Sequence, residues 1–168
     1  MKKIGVISDT HGWLHPKVSE FFKPCDEIWH AGDICSENVL IELNTIAPVR
    51  AVYGNCDDWA MRSETSEFLV FDCEEHRIAL MHIVGTPARL EPKALEIIRK
   101  EYPTIFVAGH SHILKIMNDP VHNLLYINPG GGGLRGIHTH ITFLRFDVDG
   151  KNISNLEVFD QPKSSAHV

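Results

Sequence analysis

The stretch Lys3-Ile4-Gly5-Val6-Ile7-Ser8-Asp9-Thr10-His11-Gly12 decides how the chain is read, because an apolar run stops abruptly at a carboxylate and an imidazole two residues apart. Lys3 to Ser8 is short and rich in Ile and Val, which predicts a buried strand. The same arrangement recurs four times. Glu27 to Ala31 runs into Gly32-Asp33, Val49 to Tyr53 into Gly54-Asn55, Arg77 to His82 ends on His82, and Ile105 to Ala108 runs into Gly109-His110-Ser111-His112. Polar ligands at the ends of several strands sit on loops that a rigid sheet can aim at one point.

Two helical stretches separate the first three strands. Pro16 suits the first turn of a helix and Pro24 cannot continue one, which predicts a short helix over His15 to Lys23. Ser36 is a suitable N-cap for a second helix through Asn44, with Val39, Leu40, Leu43 and Ile46 at helical spacing. Strand-helix-strand-helix-strand is the order of a parallel sheet with right-handed crossovers. Beyond it, Glu67 to Cys73 and Arg77 to His82 read as a hairpin joined at Glu74-Glu75-His76, and Pro92 to Lys100 as a helix. The chain is then β almost to its end, over Leu114 to Met117, Leu124 to Ile127, His140 to Val148 and Ile153 to Phe159. Asp149-Gly150 marks a two-residue turn, and Gln161 to Val168 reads as a loose tail. No repeat or linker divides the chain, so residues 1–168 are expected to form a single α/β domain of two packed sheets with helices outside them.

A chain of 168 residues can bury a core without disulfide staples, and its 43% hydrophobic and 23% charged residues are those of an ordinary globular protein. The apolar run after Met1-Lys2-Lys3 is too short for a signal segment or a membrane span, which predicts a cytoplasmic protein with no membrane partner. Cys25, Cys35, Cys56 and Cys73 contain no C-x-x-C pair and read as free thiols. The formal charge is −6, and Asp9, Asp26, Asp33, Asp57 and Asp58 lie in or beside the blocks above. Without a Lys/Arg-rich tract, the acidic balance argues against long nucleic acid as the main partner, because phosphate neutralisation needs basic side chains, and leaves a short nucleotide open.

Seven side chains, Asp9, His11, Asp33, Asn55, His82, His110 and His112, are too many for one tetrahedral zinc and suit two cations sharing a bridging carboxylate. Residues two apart project to the same side of an extended backbone, which would aim Asp9 with His11 and His110 with His112. Gly32 lets the chain turn tightly before Asp33. A carboxylate can bridge two cations with its two oxygens, so Asp33 is the natural bridge, and Asn55 adds a neutral oxygen. Each block alone reads as an ordinary turn or cap. An H-x-H pair also occurs by chance, and His138-Thr139-His140 is read that way. Five such blocks in order, nearly all at predicted strand ends, carry the metal reading.

The succession D-x-H, G-D, G-N, His, G-H-x-H, with Ile7-Ser8-Asp9-Thr10-His11-Gly12 at its head, resembles the calcineurin-like metallophosphoesterase superfamily. The chain's length and that head look like the small stand-alone branch, the prokaryotic phosphodiesterases related to the retromer vacuolar-sorting subunit. The resemblance runs from about residue 4 to residue 150. It implies a four-layer αββα sandwich with a first metal on Asp9, His11, Asp33 and His112 and a second on Asp33, Asn55, His82 and His110. It implies two divalent ions, Mn²⁺ foremost with Fe, Zn, Co or Ni as alternatives, and a bridging hydroxide that attacks the phosphorus of a small organic phosphodiester. A homodimer is also expected by resemblance. Asp33, Asn55, Asp57 and His110 are the candidate catalytic residues, and Asn55, Gly131 and Arg135 the candidate substrate contacts.

This chain departs from the family pattern in places. Many relatives read G-N-H-[DE] where this chain has Gly54-Asn55-Cys56-Asp57. Cys56, read as a small buried hydrophobe, is a poorer proton donor than His, which favours esters with good leaving groups. Asp57 is expected to orient a ligand, and His30 to sit just behind the ligands. Asn128-Pro129-Gly130-Gly131-Gly132-Gly133 replaces the branch's N-P-G-S, and its glycines read as a flexible loop whose N–H groups approach a phosphate. His15, His76, His122 and His167 read as surface or loop residues. Pocket walls are expected from residues 12–16, 57–66, 83–91 and 130–138. The other readings are a phosphomonoesterase for small metabolites or phosphoproteins, and a non-catalytic scaffold on the same fold.

Overall fold

The computed structural model describes residues 1–166. Its elements, in chain order, are β1 (Lys2–Ile7), α1 (Val18–Phe22), β2 (Glu27–His30), α2 (Glu37–Asn44), β3 (Val49–Ala51), α3 (Trp59–Glu64), β4 (Phe68–Cys73) and β5 (His76–Met81). They continue with β6 (Gly85–Thr86), β7 (Arg89–Leu90), α4 (Pro92–Glu101), β8 (Ile105–Val107), β9 (Leu114–Asp119), β10 (Leu124–Pro129), β11 (His140–Asp149) and β12 (Asn152–Pro162), closed by a 3-10 turn over Lys163–Ser165. One five-stranded sheet has the order β12-β11-β1-β2-β3, a second β4-β5-β8-β10-β9, and β6-β7 form a small ribbon. Both large sheets are mixed: β1-β2-β3 run parallel beside antiparallel β11, and β5-β8-β10 run parallel between antiparallel β4 and β9.

Strand alternation sorts the apolar side chains into three cores. Ile4, Val6, Trp29, Leu144 and Phe146 of the first sheet meet Ile78, Leu80, Ile105, Val107 and Ile127 of the second in the central core. On the outer face of the first sheet, Ile7, Ile28, Ile141 and Phe143 pack on Val18 and Phe22 of α1, Val39 and Leu43 of α2, and Met61 of α3. On the outer face of the second, Ala79, Met81, Phe106 and Tyr126 pack on Ala94, Ile97 and Ile98 of α4. Helix, sheet, sheet, helix is therefore the layering, as the resemblance implies. Fully buried side chains such as Trp29 and Phe146 each stabilise it by roughly 1.5–3 kcal/mol.

Most predicted elements are present within one or two residues, but five features differ. Helix α3 and the ribbon β6-β7 were not expected. The β11-β12 register pairs Asp149 with Asn152, so the two turn residues are Gly150-Lys151 rather than Asp149-Gly150. The expected tail is structured through residue 166: β12 runs to Pro162, and the Lys163 N–H donates to the Thr139 carbonyl at 2.9 Å. His167 lies outside the described residues. His15, expected at the surface, is buried and packs on Phe143 and Phe159.

Candidate metal centre

Parallel registers bring the carboxyl ends of the central strands to one edge: Ile7 pairs with His30 and His30 with Ala51 in one sheet, Leu80 with Val107 and Val107 with Ile127 in the other. All five sequence blocks leave the sheets there, as expected for ligand sites in open α/β sheets. The backbone that delivers them is left-handed rather than extended. Asp9 (φ 54°), His11 (47°), Asp33 (54°), His110 (69°) and His112 (58°) are all non-glycine residues with positive φ. Strand alternation therefore does not aim Asp9 with His11 or His110 with His112, contrary to expectation. Each side chain is aimed by a local left-handed turn, a conformation that costs on the order of 1 kcal/mol or more per residue and persists where surrounding contacts enforce it. Those contacts are a ladder between loops: Asp9 N–H to Gly32 O (2.9 Å), His11 N–H to Asp33 O (2.9 Å) and Gly12 N–H to Ile34 O (2.7 Å).

The ligand atoms form three overlapping triads, Asp9/His11/His112, Asp9/Asp33/His82 and His11/Asp33/Cys56, each with its atoms within 4.8 Å of one another. Asp33 Oδ2 stands 3.7 Å from His11 Nε2 and 3.3 Å from His82 Nε2. Asp9 Oδ1 stands 3.1 Å from His112 Nε2 and 3.8 Å from His82 Nε2. Both carboxylates thus face both halves of the cluster, not Asp33 alone as expected. Asn55 Oδ1 completes the arrangement, 3.1 Å from His82 Nε2. The His110 ring stays outside the triads beside His82, with centroids 5.3 Å apart, and its backbone N–H donates to Asp9 Oδ2 at 3.0 Å.

This arrangement demands positive charge. Asp9 Oδ1 is buried and makes no hydrogen bond, a condition that costs several kcal/mol for an anionic oxygen unless a cation meets it. His82 Nδ1 lies 2.7 Å from the Ala31 carbonyl and must donate to it, so Nε2, among the oxygens of Asn55, Asp33 and Asp9, is the nitrogen that takes up a proton in the cation-free protein and offers a lone pair to a cation when the ring is neutral. Burial would push the His82 imidazole pKa down, but Asp33 and Asp9 overcome it and hold it up. Burial would likewise raise Asp33 and Asp9. His82, the Cys56 N–H and His11 keep Asp33 below the usual carboxylate range, and His112, His82 and the Ser8 hydroxyl lower Asp9. Acidic oxygens and bare imidazole nitrogens converging within 4 Å form a donor set that fits divalent cations.

A scan of family models matches residues 1–151 to the calcineurin-like phosphoesterase superfamily domain. This chain belongs to the calcineurin-like phosphoesterase superfamily. A probable metallophosphoesterase of Methanothermobacter thermautotrophicus is 34% identical over 133 residues, covering 76% of this chain and 75% of that protein. Among solved structures, wild-type Vps29 of Entamoeba histolytica complexed with zinc superposes with a TM-score of 0.72 at 20% identity, covering 96% of this chain and 99% of that one. A predicted phosphoesterase of Streptococcus pneumoniae superposes with a TM-score of 0.66 at 21% identity, covering 97% and 90%. At those identities the superpositions establish the fold.

Around this cluster, residues behind the candidate ligands fix the loops. His30 accepts from the Gly32 N–H at Nδ1 (3.1 Å) and so donates through Nε2 to Thr10 Oγ1 (3.0 Å). Burial pushes its pKa down to about 4, so the ring is neutral. Asp57 makes no contact with the ligand atoms. Its carboxylate accepts from the N–H groups of Gly54 (2.7 Å), Cys35 (2.7 Å) and Ile34 (3.3 Å), clamping two ligand loops together. Cys56, expected in the interior, is exposed beside the cluster, as is Cys35, and all four cysteines are free. Burial and Asp33 raise the Cys56 pKa, which keeps it a neutral thiol.

The glycine run also differs from its expected role. Gly130 to Gly133 are buried, and the N–H groups of Gly132 and Gly133 donate to the carbonyls of Ser8 (2.8 Å) and Asp9 (3.1 Å). Gly131 lies under the His138 ring. The loop is thus packed behind the ligand-bearing turn of Asp9 and does not present its amides to a substrate. Arg135, next to it, is exposed, and its charge is felt at His11, Cys35 and Cys56. A cleft of about 460 Å³ opens from Asn55 and His82 between Tyr53, Arg62, Glu67, Met81, Ile83, Glu91, Pro92 and Lys93. Only Arg62, Ile83 and Glu91 come from the segments expected to wall the pocket. Arg62 was not singled out in the sequence, yet its guanidinium braces the carbonyls of Asp57 (2.8 Å), Gly54 (3.4 Å) and Asn55 (3.2 Å).

Proposed function

We propose that this chain hydrolyses a small organic phosphodiester with two divalent cations, Mn²⁺ foremost. Asp9, His11, Asp33 and His112 would hold one cation, and Asp33, Asn55, His82 and His110 the other. The observation that carries the reading is the position of Asp33 Oδ2 and Asp9 Oδ1 between His11 or His112 on one side and His82 on the other. Bound cations would supply Lewis-acid polarisation of the phosphoryl group and a water acidic enough to ionise near neutral pH.

The chain's own residues set the selectivity. Arg135 offers an exposed guanidinium to a phosphoryl oxygen. The cleft beside Asn55 and His82, with Tyr53, Met81, Ile83 and Pro92 in its walls, takes an apolar or aromatic arm of the ester. Neutral Cys56 stands where many relatives carry His, so a departing alkoxide receives no imidazolium proton and esters of acidic alcohols are favoured. The test is turnover by metal-free protein given Mn²⁺, on a bis-aryl phosphodiester and the matching aryl phosphomonoester. Faster diester turnover is expected. Preference for the monoester would replace the proposal with a phosphomonoesterase. Metal binding without turnover of either would replace it with a scaffold.

A further inference from the structure

His138 belongs to a pair that the sequence dismissed as chance. The two members part company in the fold. His140 is exposed and pairs with Asp160, whereas His138 turns inward against His112, with ring centroids 4.7 Å apart. Donor and acceptor bookkeeping fixes the protons. His138 Nε2 lies 3.0 Å from the Gly133 carbonyl, which can only accept, so Nε2 carries the hydrogen. The His138 Nδ1 of a neutral ring is then an acceptor, and the group 2.9 Å from it is His112 Nδ1. His112 must therefore carry its proton on Nδ1 and leave Nε2 bare, the nitrogen that faces Asp9 Oδ1 at 3.1 Å and His11 Nε2 at 3.5 Å.

The backbone is cut to fit this pair. A Cβ on Gly131 would stand 2.5 Å from His138 Nε2, and one on Gly136 2.5 Å from His112 Nδ1 and 2.9 Å from His138 Nδ1. Gly136 also has a φ of 119°, which side chains rarely adopt.

We infer that His138 is a positioning residue that fixes His112 in the tautomer able to bind a cation through Nε2, and that the glycine-rich loop 130–136 exists to house this imidazole pair. The effect on metal rests on the reading proposed above; the tautomer does not. Partners of this kind behind a ligating His typically contribute a factor of roughly 10–100 in metal affinity.

Two variants separate the hydrogen bond from packing. His138→Phe keeps a ring against Gly131 and Gly136 but removes the acceptor, and His138→Asn keeps an acceptor near the Nδ1 position. Imidazole ¹⁵N chemical shifts of metal-free protein should show His112 protonated on Nδ1 in the wild type and no longer confined to that tautomer in His138→Phe. Competition titration with Mn²⁺ should show a loss of roughly 10–100-fold in His138→Phe and recovery of most of it in His138→Asn. A wild-type His112 protonated on Nε2 would overturn the inference, as would equal losses in both variants or wild-type affinity in His138→Phe. A wild-type protein that binds no Mn²⁺ but shows the Nδ1–H tautomer would sink the metal reading and leave the tautomer assignment standing. Should His138→Phe fail to fold, the wild-type tautomer and the His138→Asn affinity still decide the matter.

Discussion

Individual residues do two different jobs at this centre. The candidate ligands offer donor atoms, while others supply clearance and neutral hydrogen bonds. Gly54 is of the second kind: a Cβ there would stand 2.1 Å from Asp33 Oδ1 and 2.7 Å from His82 Cδ2. Gly54→Ala should therefore lower Mn²⁺ affinity at least tenfold while leaving the far-ultraviolet circular dichroism unchanged; unaltered affinity would mean that Asp33 can shift without loss. His30 gives a pH prediction. Its pKa falls from 6.5 in the unfolded chain to about 4 in the folded one. Between those values the unfolded chain binds more protons, so stability falls as pH drops through this window and the loss is complete below about 4. The loss totals on the order of 3 kcal/mol. In urea unfolding of metal-free protein, the stability advantage of wild type over His30→Gln should shrink between pH 7 and pH 4.5, and a constant difference would contradict the assignment. The sequence disclosed residue types well at this scale, because acids, amides and imidazoles after β runs are few and conspicuous. It could not disclose the left-handed backbone of Asp9, His11, Asp33, His110 and His112, since non-glycine residues at positive φ are stabilised only by tertiary contacts. The same is true of His138, whose partner His112 lies 26 residues away.

At the scale of elements, the long strands and α2 and α4 follow from period and caps, and the misses are the short pieces. Helix α3 has six residues, too few for a helical period to show. Its one local signal was Asp58, whose side chain accepts from the Met61 N–H at 2.9 Å as an N-cap. That helix carries Arg62, which braces the loop holding Asn55. Asp58→Ala should lower stability by about 1 kcal/mol and raise the KM of a diester substrate more than it lowers kcat, because the cleft wall loosens. Unchanged stability in chemical unfolding would show that the cap is not needed. The last strand was longer than its pattern suggested, because β12 is an edge strand whose exposed residues carry little alternation. Pairing with β11 extends it to Pro162.

For the whole molecule, three cores hold two sheets so that five strand ends meet at one edge, and the net charge of −6 is partly the consequence of what is gathered there. No helix among the described residues is long and apolar enough to cross a membrane. Because the candidate ligands come from loops far apart in sequence, the proposed cations should bind the folded chain and not the unfolded one. Each site filled at 100 times its Kd should add about 2.7 kcal/mol of stability, which a thermal melt with and without Mn²⁺ would register as a rise of several degrees per site. The layering and the site's location were legible in the order of blocks, whereas the cleft was not, since its walls come mainly from residues that no motif or periodicity joins. The most direct test of the account is the number of Mn²⁺ equivalents bound by metal-free wild type and by Asp33→Ala, measured together with diester turnover. Two equivalents and turnover are expected in the wild type, and a folded variant that has lost both cations and all activity. An Asp33→Ala protein that binds metal and turns over diester like the wild type would contradict it.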